Sequence, residues 1–409
     1  MAAGLTERLA ELGHAPAATH GGVPCYAPAS PEQAAELLGT CSREGWRVRL
    51  LGAGSRGGEP VAADLVVSSR ALAGFDIYEP DDLTVGMLAG TRHRDAAAEL
   101  ARHQQMLLLD PPGPPQATVG GSFAAGEAGP LRAGYGTPRD LALGLTLVTG
   151  DGRVLRLGGQ VVKNVAGYDL VRLVVGSRGT LGLITQLHMR LRSQPPSDVT
   201  VTAAVTDPAA AAELALRIRD AAAPVALELL GPERDGEPWL IATRLHGSHA
   251  NTAGALASVR RLLPDAAALE PGMAADFWTA LAGAESGAPA RIRCSVLPSA
   301  LPDLLRAAGP VLNLRSDNGL AIWRAAVHAT EGVLRLWTRE PAPPPDGSPA
   351  EVLADLERTA VSLSGTCICD RGPAALRRLL PGPHPAPRLL QLERELRLRF
   401  DPAAVLVGD

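Results

Sequence analysis

The chain has 409 residues, 46% of them hydrophobic and 20% charged, with a formal net charge of −4. That length exceeds a single small core and predicts a water-soluble protein of at least two domains. The negative balance gives no electrostatic footprint for nucleic acid. No apolar run reaches the roughly 18 residues of a membrane helix, and the first residues lack the apolar stretch of a signal peptide. A cytoplasmic location without a direct membrane span is therefore expected. Cysteines at 25, 41, 294, 367 and 369 are too scattered for a disulfide framework or a metal cluster, and are read as buried thiols.

In chain order, residues 31–45 carry apolar side chains at helical spacing behind Ser30-Pro31, a cap followed by a first-turn proline. Residues 46–51 alternate and predict a strand. Gly52–Gly57, "GAGSRG", follows directly, then short strands over 64–69 and 82–90 and a helix over 92–104. The loop matches G-x-G-x-x-G, but no amphipathic helix opens after it, which argues against a dinucleotide-binding Rossmann turn. A glycine loop between strands instead offers consecutive backbone N–H groups to an anion, and Ser55 adds a hydroxyl donor.

Residues 110–136 are dense in Gly, Pro and Ala without charge runs. Glycine lets backbone approach a ligand closely, so this stretch reads as a binding wall. Residues 143–157 alternate on both sides of Gly150-Asp151-Gly152, a hairpin signal. The next stretch, "GGQVVKNVAGYD" (158–169), holds the only lysine of the chain, Lys163. Arginine is planar and never neutral, whereas lysine is a compact point charge, so a site that keeps lysine in so arginine-rich a chain points to a constraint. Pairing with Asp169 or Asp140 is one role open to it. Tyr168 and Asp169 are expected to start a helix with Leu170, Leu173 and Val174 on its apolar face.

Pro195-Pro196 marks a boundary. Beyond it, strand–helix–strand units over 197–340 predict an α+β domain on a largely antiparallel sheet, with Asp207-Pro208 starting one helix. His246 and His249 are read as loop histidines because Gly247-Ser248 separates them. Residues 341–349 form a Pro-rich linker, and a helix over 350–363, a strand near 366–369 and a charged terminal helix close the chain.

Residues 89–113, 116–185 and 398–406 together resemble the FAD-linked oxidases of the vanillyl-alcohol oxidase, or PCMH-type, superfamily. Within it the likeness is greatest to the small FAD-binding subunits of bacterial glycolate oxidases. The long motif from "QATVGGSFAAGEAGPLRAGYGTPRD" through "VVKNVAGYD" to "RGTLGLIT" carries most of it. The resemblance implies a PCMH-type FAD-binding domain over 1–195, an α+β cap over 196–340, and a segment over 350–409 returning to the flavin domain. It assigns FAD to Gly52, Ala53, Gly54, Ser55, Arg56 and Gly57, to Pro111, Thr118, Gly120, Gly121 and Ala124, and to Gly179, Gly182 and Ile184.

No histidine or cysteine falls within 52–58 or 110–136, so a noncovalent flavin is expected. Against a flavin, Lys163 could also offset negative charge or hold a substrate carboxylate. The implied activity is oxidation of a 2-hydroxy acid, glycolate or D-lactate. The implied partners are a larger FAD-linked subunit and an iron–sulfur subunit. The late histidine motif of the catalytic relatives is missing, and Val407-Gly408-Asp409 replaces their Asn-Pro-Gly. A non-catalytic flavin-binding or scaffold subunit and a stand-alone oxidase for another hydroxylated substrate stay open. Catalytic residues are unassigned, with Arg324 and His328 a candidate pair in a cap pocket.

Overall fold

The computed structural model describes residues 2–55, 62–159, 169–234, 236–314, 322–340, 348–383 and 385–408. The chain divides into two compact units. The first comprises residues 1–128, 136–194 and 385–409; the second comprises 129–135 and 195–384.

In the first unit, the helix Pro31–Glu44 forms as its ends dictate. Ser30 accepts a hydrogen bond from the Gln33 amide at 3.2 Å, and Gly45 closes the last turn at φ 68°, where a side chain would be strained. Its inner face, Ala34, Leu37, Leu38 and Cys41, is fully buried. It packs with Val48, Leu65 and Val67 of one sheet and with Val148 and Leu183 of another.

The first of these sheets runs in the order Ala18–His20, Val23–Tyr26, Leu65–Ser68, Val48–Leu51, Leu406–Val407. Its last three pairings are parallel. The other sheet is antiparallel, in the order Phe75–Glu79, Thr84–Leu88, Leu183–Arg190, Ala142–Val148, Val154–Gly158. Its last two strands are the hairpin expected around Gly150-Asp151-Gly152.

The C-terminal tail is tied to that hairpin. The Gly150 amide donates to Phe400 O at 2.9 Å and Arg153 Nη2 donates to Arg399 O at 2.6 Å. The tail then adds Leu406–Val407 as an edge strand beside Val48.

The second unit is built on an eight-stranded sheet, in the order Ala267–Ala268, Ser197–Val205, Trp239–Gly247, Ala226–Leu230, Trp323–His328, Val333–Thr338, Arg291–Ser295, Thr366–Arg371. Every pairing in it is antiparallel. Alternation along the strands sorts the side chains. Leu227, Leu229, Ile241, Val327 and Leu336 join the helices Pro208–Ala222, Leu301–Leu312 and Ser348–Ser362 in the large core. Ala226, Ala242, Ala326 and Trp337 join Trp278 and Leu281 of the helix Pro271–Gly283 in a smaller cluster.

Residues 350–384, expected to return to the flavin domain, belong to this second unit instead. The strand Thr366–Arg371 pairs with Arg291–Ser295 and places Cys367 opposite Cys294; return to the first unit begins at Pro385. Asp207 caps the helix Pro208–Ala222, accepting from the Ala210 amide at 2.6 Å. Asp207→Ala should therefore lower stability by about 1 kcal/mol, read as a shift of the denaturant midpoint with an unchanged slope.

Candidate functional site

The strand Val48–Leu51 delivers the chain into the loop at Gly52, and the parallel strand Leu65–Ser68 beside it holds that loop. Ser68 Oγ donates to Gly52 O at 2.8 Å and Arg70 Nη2 donates to Ala53 O at 2.8 Å. Gly52 is there because nothing larger fits. A Cβ on it would stand 2.4 Å from Thr118 Oγ1 and 3.1 Å from the Gly121 Cα.

Thr118 caps the helix Val119–Ala125, its hydroxyl accepting from the Gly121 amide at 3.2 Å. The Val119 amide donates to Thr91 O at 2.9 Å and the Gly120 amide to Ala89 O at 2.8 Å. At the far end of the helix, the Gly176 amide donates to Phe123 O at 3.0 Å and the Arg178 amide to Ala124 O at 2.7 Å. A Cβ on Gly179 would meet Leu50 Cβ at 3.2 Å. Three stretches far apart in sequence thus converge on one place in the first unit.

The remaining expected residues are placed differently. Pro111 is buried in the segment leading to the wall. Gly182, at φ 147°, backs onto Val148 O. Ile184 is a buried strand residue paired with Leu147. Arg56, Gly57, Lys163 and Tyr168 lie outside the described residues. Asp140 accepts from the Thr137 amide at 2.9 Å and the Thr137 hydroxyl at 2.7 Å. Asp169 caps the helix Leu170–Val174 through the Arg172 amide at 3.0 Å.

In the second unit, the sheet face against which Trp278 packs also carries ionisable groups. His246, expected in a loop, lies on the strand Trp239–Gly247; it is His249 that follows Ser248, the cap of the helix His249–Leu262. His246 Nδ1 is 2.7 Å from the Tyr135 hydroxyl, and its Nε2 is 3.2 Å from Asp198 Oδ1. Asp198 is also gripped at both oxygens by Arg244, at 2.6–3.2 Å. Burial alone would raise the Asp198 pKa, but His246 and Arg244 beside it hold it well below the usual carboxylate range.

Further along the sheet, Glu228 bonds His328 and Arg335 lies between Glu228, at 3.3 Å, and Glu285. All four are buried. Arg324 pairs instead with Glu233. Arg324 and His328, the candidate pair, are thus each taken up by a different carboxylate.

The family model described as "FAD binding domain" matches residues 25–158, the segment that contains the loop Gly52–Ser55 and the wall Thr118–Ala124. The chain thus carries a segment matched to an FAD-binding domain. Among curated relatives, glycolate oxidase subunit GlcE of Escherichia coli is 39% identical over 39% of this chain and 45% of its own length. Glycolate oxidase subunit GlcD of Bacillus subtilis is 30% identical over 46% of this chain and 40% of its own. D-lactate dehydrogenase of Archaeoglobus fulgidus is 33% identical over 43% and 40%. The chain thus matches less than half the length of each of these three. A solved alkyldihydroxyacetonephosphate synthase superposes at TM-score 0.71 with 18% identity, over 94% of this chain and 76% of that one. This likeness shows the fold and extends it to both units.

Four residues of the first unit carry no sequence signal for their place. Ser68 and Arg70 sit in an ordinary strand and the turn after it, and only the parallel pairing brings them under the loop. His20 lies upstream of every glycine motif, yet its ring stands 3.1 Å from where a Gly54 Cβ would be. His93, the half-buried first residue of the helix His93–Ala101, brings its Nε2 to 2.7 Å from Ser122 Oγ of the wall.

Proposed function

We propose that the chain is the FAD-binding subunit of a glycolate-oxidase-like complex that oxidises a 2-hydroxy acid, glycolate or D-lactate, to the 2-oxo acid. Electrons leave through the flavin to a partner. The observation that carries this reading is the contact of the glycine loop at Gly52 with the wall at Thr118 and Gly121, both within the segment matched to FAD binding. The printed names of the relatives supply the substrate class. A larger FAD-linked subunit and an iron–sulfur subunit are the partners of this reading. The chain acts in the cytoplasm and reaches any membrane through them.

The residues fit the cofactor. FAD brings a diphosphate and a flat ring system, which need amide donors and uncluttered walls. In the loop, the oxygens of Gly52 and Ala53 are already occupied by Ser68 and Arg70, so they do not repel an incoming anion. Gly52, Ala53, Gly54 and Ser55, with Arg56 and Gly57 after them, would hold the diphosphate, and Ser55 would add its hydroxyl. Thr118, Gly120, Gly121 and Ala124 would form the wall, with Gly179 closing it and Pro111, Gly182 and Ile184 shaping the surroundings. FAD, when bound, supplies the two-electron acceptor, and it is held noncovalently.

The test is a visible spectrum followed by anaerobic addition of glycolate or D-lactate. A flavin-yellow protein that bleaches, alone or once its partner subunits are added, supports the proposal. A protein that takes up no FAD, or one whose flavin stays oxidised in the assembled complex, would sink it.

A further inference from the structure

Two of the five cysteines meet inside the second unit, at a place that flavin binding does not explain. Cys294 and Cys367 are direct partners across the antiparallel strands Arg291–Ser295 and Thr366–Arg371. Both are buried in the large core, and their sulfurs stand 2.9 Å apart. Directly opposed residues of an antiparallel pair have Cα atoms about 4.5 or 5.5 Å apart. Both spacings fall inside the roughly 4.4–6.8 Å that a disulfide spans. The backbone is thus already set for a bond between sulfurs that touch.

The third cysteine nearby does not compete. Cys369 lies opposite Ile292, and its Sγ donates to Arg371 O at 3.1 Å. Two residues along an extended strand stand roughly 6.6 Å apart, at the far limit of a disulfide. Cys367 therefore pairs across the sheet and not along its own strand. Cys25 and Cys41 belong to the first unit.

The pair sits where a bond would hold an edge. Thr366–Arg371 is the last strand of the eight-stranded sheet. Beyond it, among the described residues, lies no further strand but an isolated bridge from Ile368 to Pro381. A strand with one neighbour opens at lower cost than one with two. It lies between the helices Ser348–Ser362 and Ala374–Leu379, whose Leu356, Ala360 and Leu376 share the core with Cys367.

We propose that Cys294 and Cys367 are a reversible disulfide site that locks this edge strand to the sheet under a peroxide. Cys367, on the strand that opens, attacks the peroxide as its thiolate: an S–O bond forms, the O–O bond breaks, and hydroxide leaves to become water. The Cys294 sulfur then attacks the sulfenic sulfur; S–S forms, S–O breaks, and a second water leaves. Two electrons pass from the thiols to the peroxide, and both thiol protons end in water. An excess of small thiol returns the electrons and itself becomes a disulfide. The hydrogen bond with Cys367 and burial raise the Cys294 pKa, which keeps that thiol protonated and slow while the strand is docked. The lock therefore closes on the timescale of edge-strand opening. It stabilises because the two cysteines are 73 positions apart, and joining them restricts the unfolded chain.

The test takes the full chain, with or without FAD, reduces it with dithiothreitol, removes the reductant and adds hydrogen peroxide. Peptide mapping without reductant should find residues 294 and 367 joined. The unfolding midpoint of the second unit should rise by roughly 5–15 °C and fall back on reduction. Cys294→Ala and Cys367→Ala should each abolish the rise, whereas Cys369→Ala should keep it. Thiols that stay reduced, a link made by Cys369, or sulfinic acid at either position without a link would overturn the proposal from the wild-type map alone, however the variants fold. A joined pair with an unchanged midpoint would overturn the lock, as would a rise that persists in Cys367→Ala. None of these outcomes bears on the flavin reading, which has its own spectrum to answer to.

Discussion

Gly52→Ala is expected to weaken FAD binding by roughly 5- to 150-fold, the equivalent of about 1–3 kcal/mol of overpacking. The added methyl would lie 2.4 Å from Thr118 Oγ1 and 3.1 Å from the Gly121 Cα. The first contact could be relieved by rotating the threonine, but that gives up the hydroxyl that caps the helix Val119–Ala125. The second is backbone and has nowhere to turn. The loop must lift off the wall, while Ser68 and Arg70 still hold its carbonyls from behind. Gly159→Ala is the matched control, since no atom of the described residues lies within 4 Å of its added methyl. Titrating each apoprotein with FAD by flavin fluorescence separates the two. A Gly52→Ala protein that binds as tightly as Gly159→Ala would show that the loop–wall junction does not carry the cofactor.

Which features were legible in the sequence follows from how local their causes are. The helix Pro31–Glu44 and the hairpin around Gly150-Asp151-Gly152 are written in caps, period and turn residues that act within a few positions. The glycine stretches stood out by composition, because a missing side chain is visible in a sequence. Their mutual contact was not, because Gly52 meets Thr118 only through the tertiary fold. His246 was misread for a local reason. Gly247-Ser248 looks like a loop, but Gly247 ends the strand at φ 158° and Ser248 at once caps the next helix, so the signal belongs to a single junction. The helices Pro271–Gly283 and Leu301–Leu312 went unpredicted, since the first opens on Pro-Gly and the second contains Pro302 and Pro310. Residues 350–384 were misassigned because a strand's neighbours are set by pairing, and Thr366–Arg371 pairs with a segment far upstream. The partner of His328 was hidden likewise, since Glu228 arrives from another strand, as was Glu285, which reaches Arg335 from the segment after a helix.

Arg335→Met should destabilise the second unit by about 3 kcal/mol, because it takes the shared cation from between buried Glu228 and Glu285 and leaves Glu285 only Arg291, at 3.5 Å. The same cluster makes stability depend on pH, with a sign set by two opposing shifts. Burial pushes the Glu228 carboxyl up from 4.5 to about 8, against the pull of Arg335. Between those values the folded protein holds a proton that the unfolded chain releases, so stability falls as pH rises. Burial and Arg335 push His328 well below 6.5. Up to that pH the unfolded chain binds a proton that the folded protein rejects, so this contribution rises with pH. The two offset each other between about 4.5 and 6.5, and Glu228 acts alone from 6.5 to about 8, where the loss should amount to about 2 kcal/mol. Denaturant unfolding of wild type and Glu228→Gln at pH 6.5 and 8 isolates it. The wild type should weaken relative to the variant, because glutamine keeps a neutral partner for His328 and Arg335 but has no proton to lose. In Arg335→Met, Glu228 loses the cation that draws its pKa down, so the decline should continue above pH 8. Equal pH slopes in wild type and Glu228→Gln would mean that Glu228 stays ionised, held by Arg335 more firmly than burial opposes it.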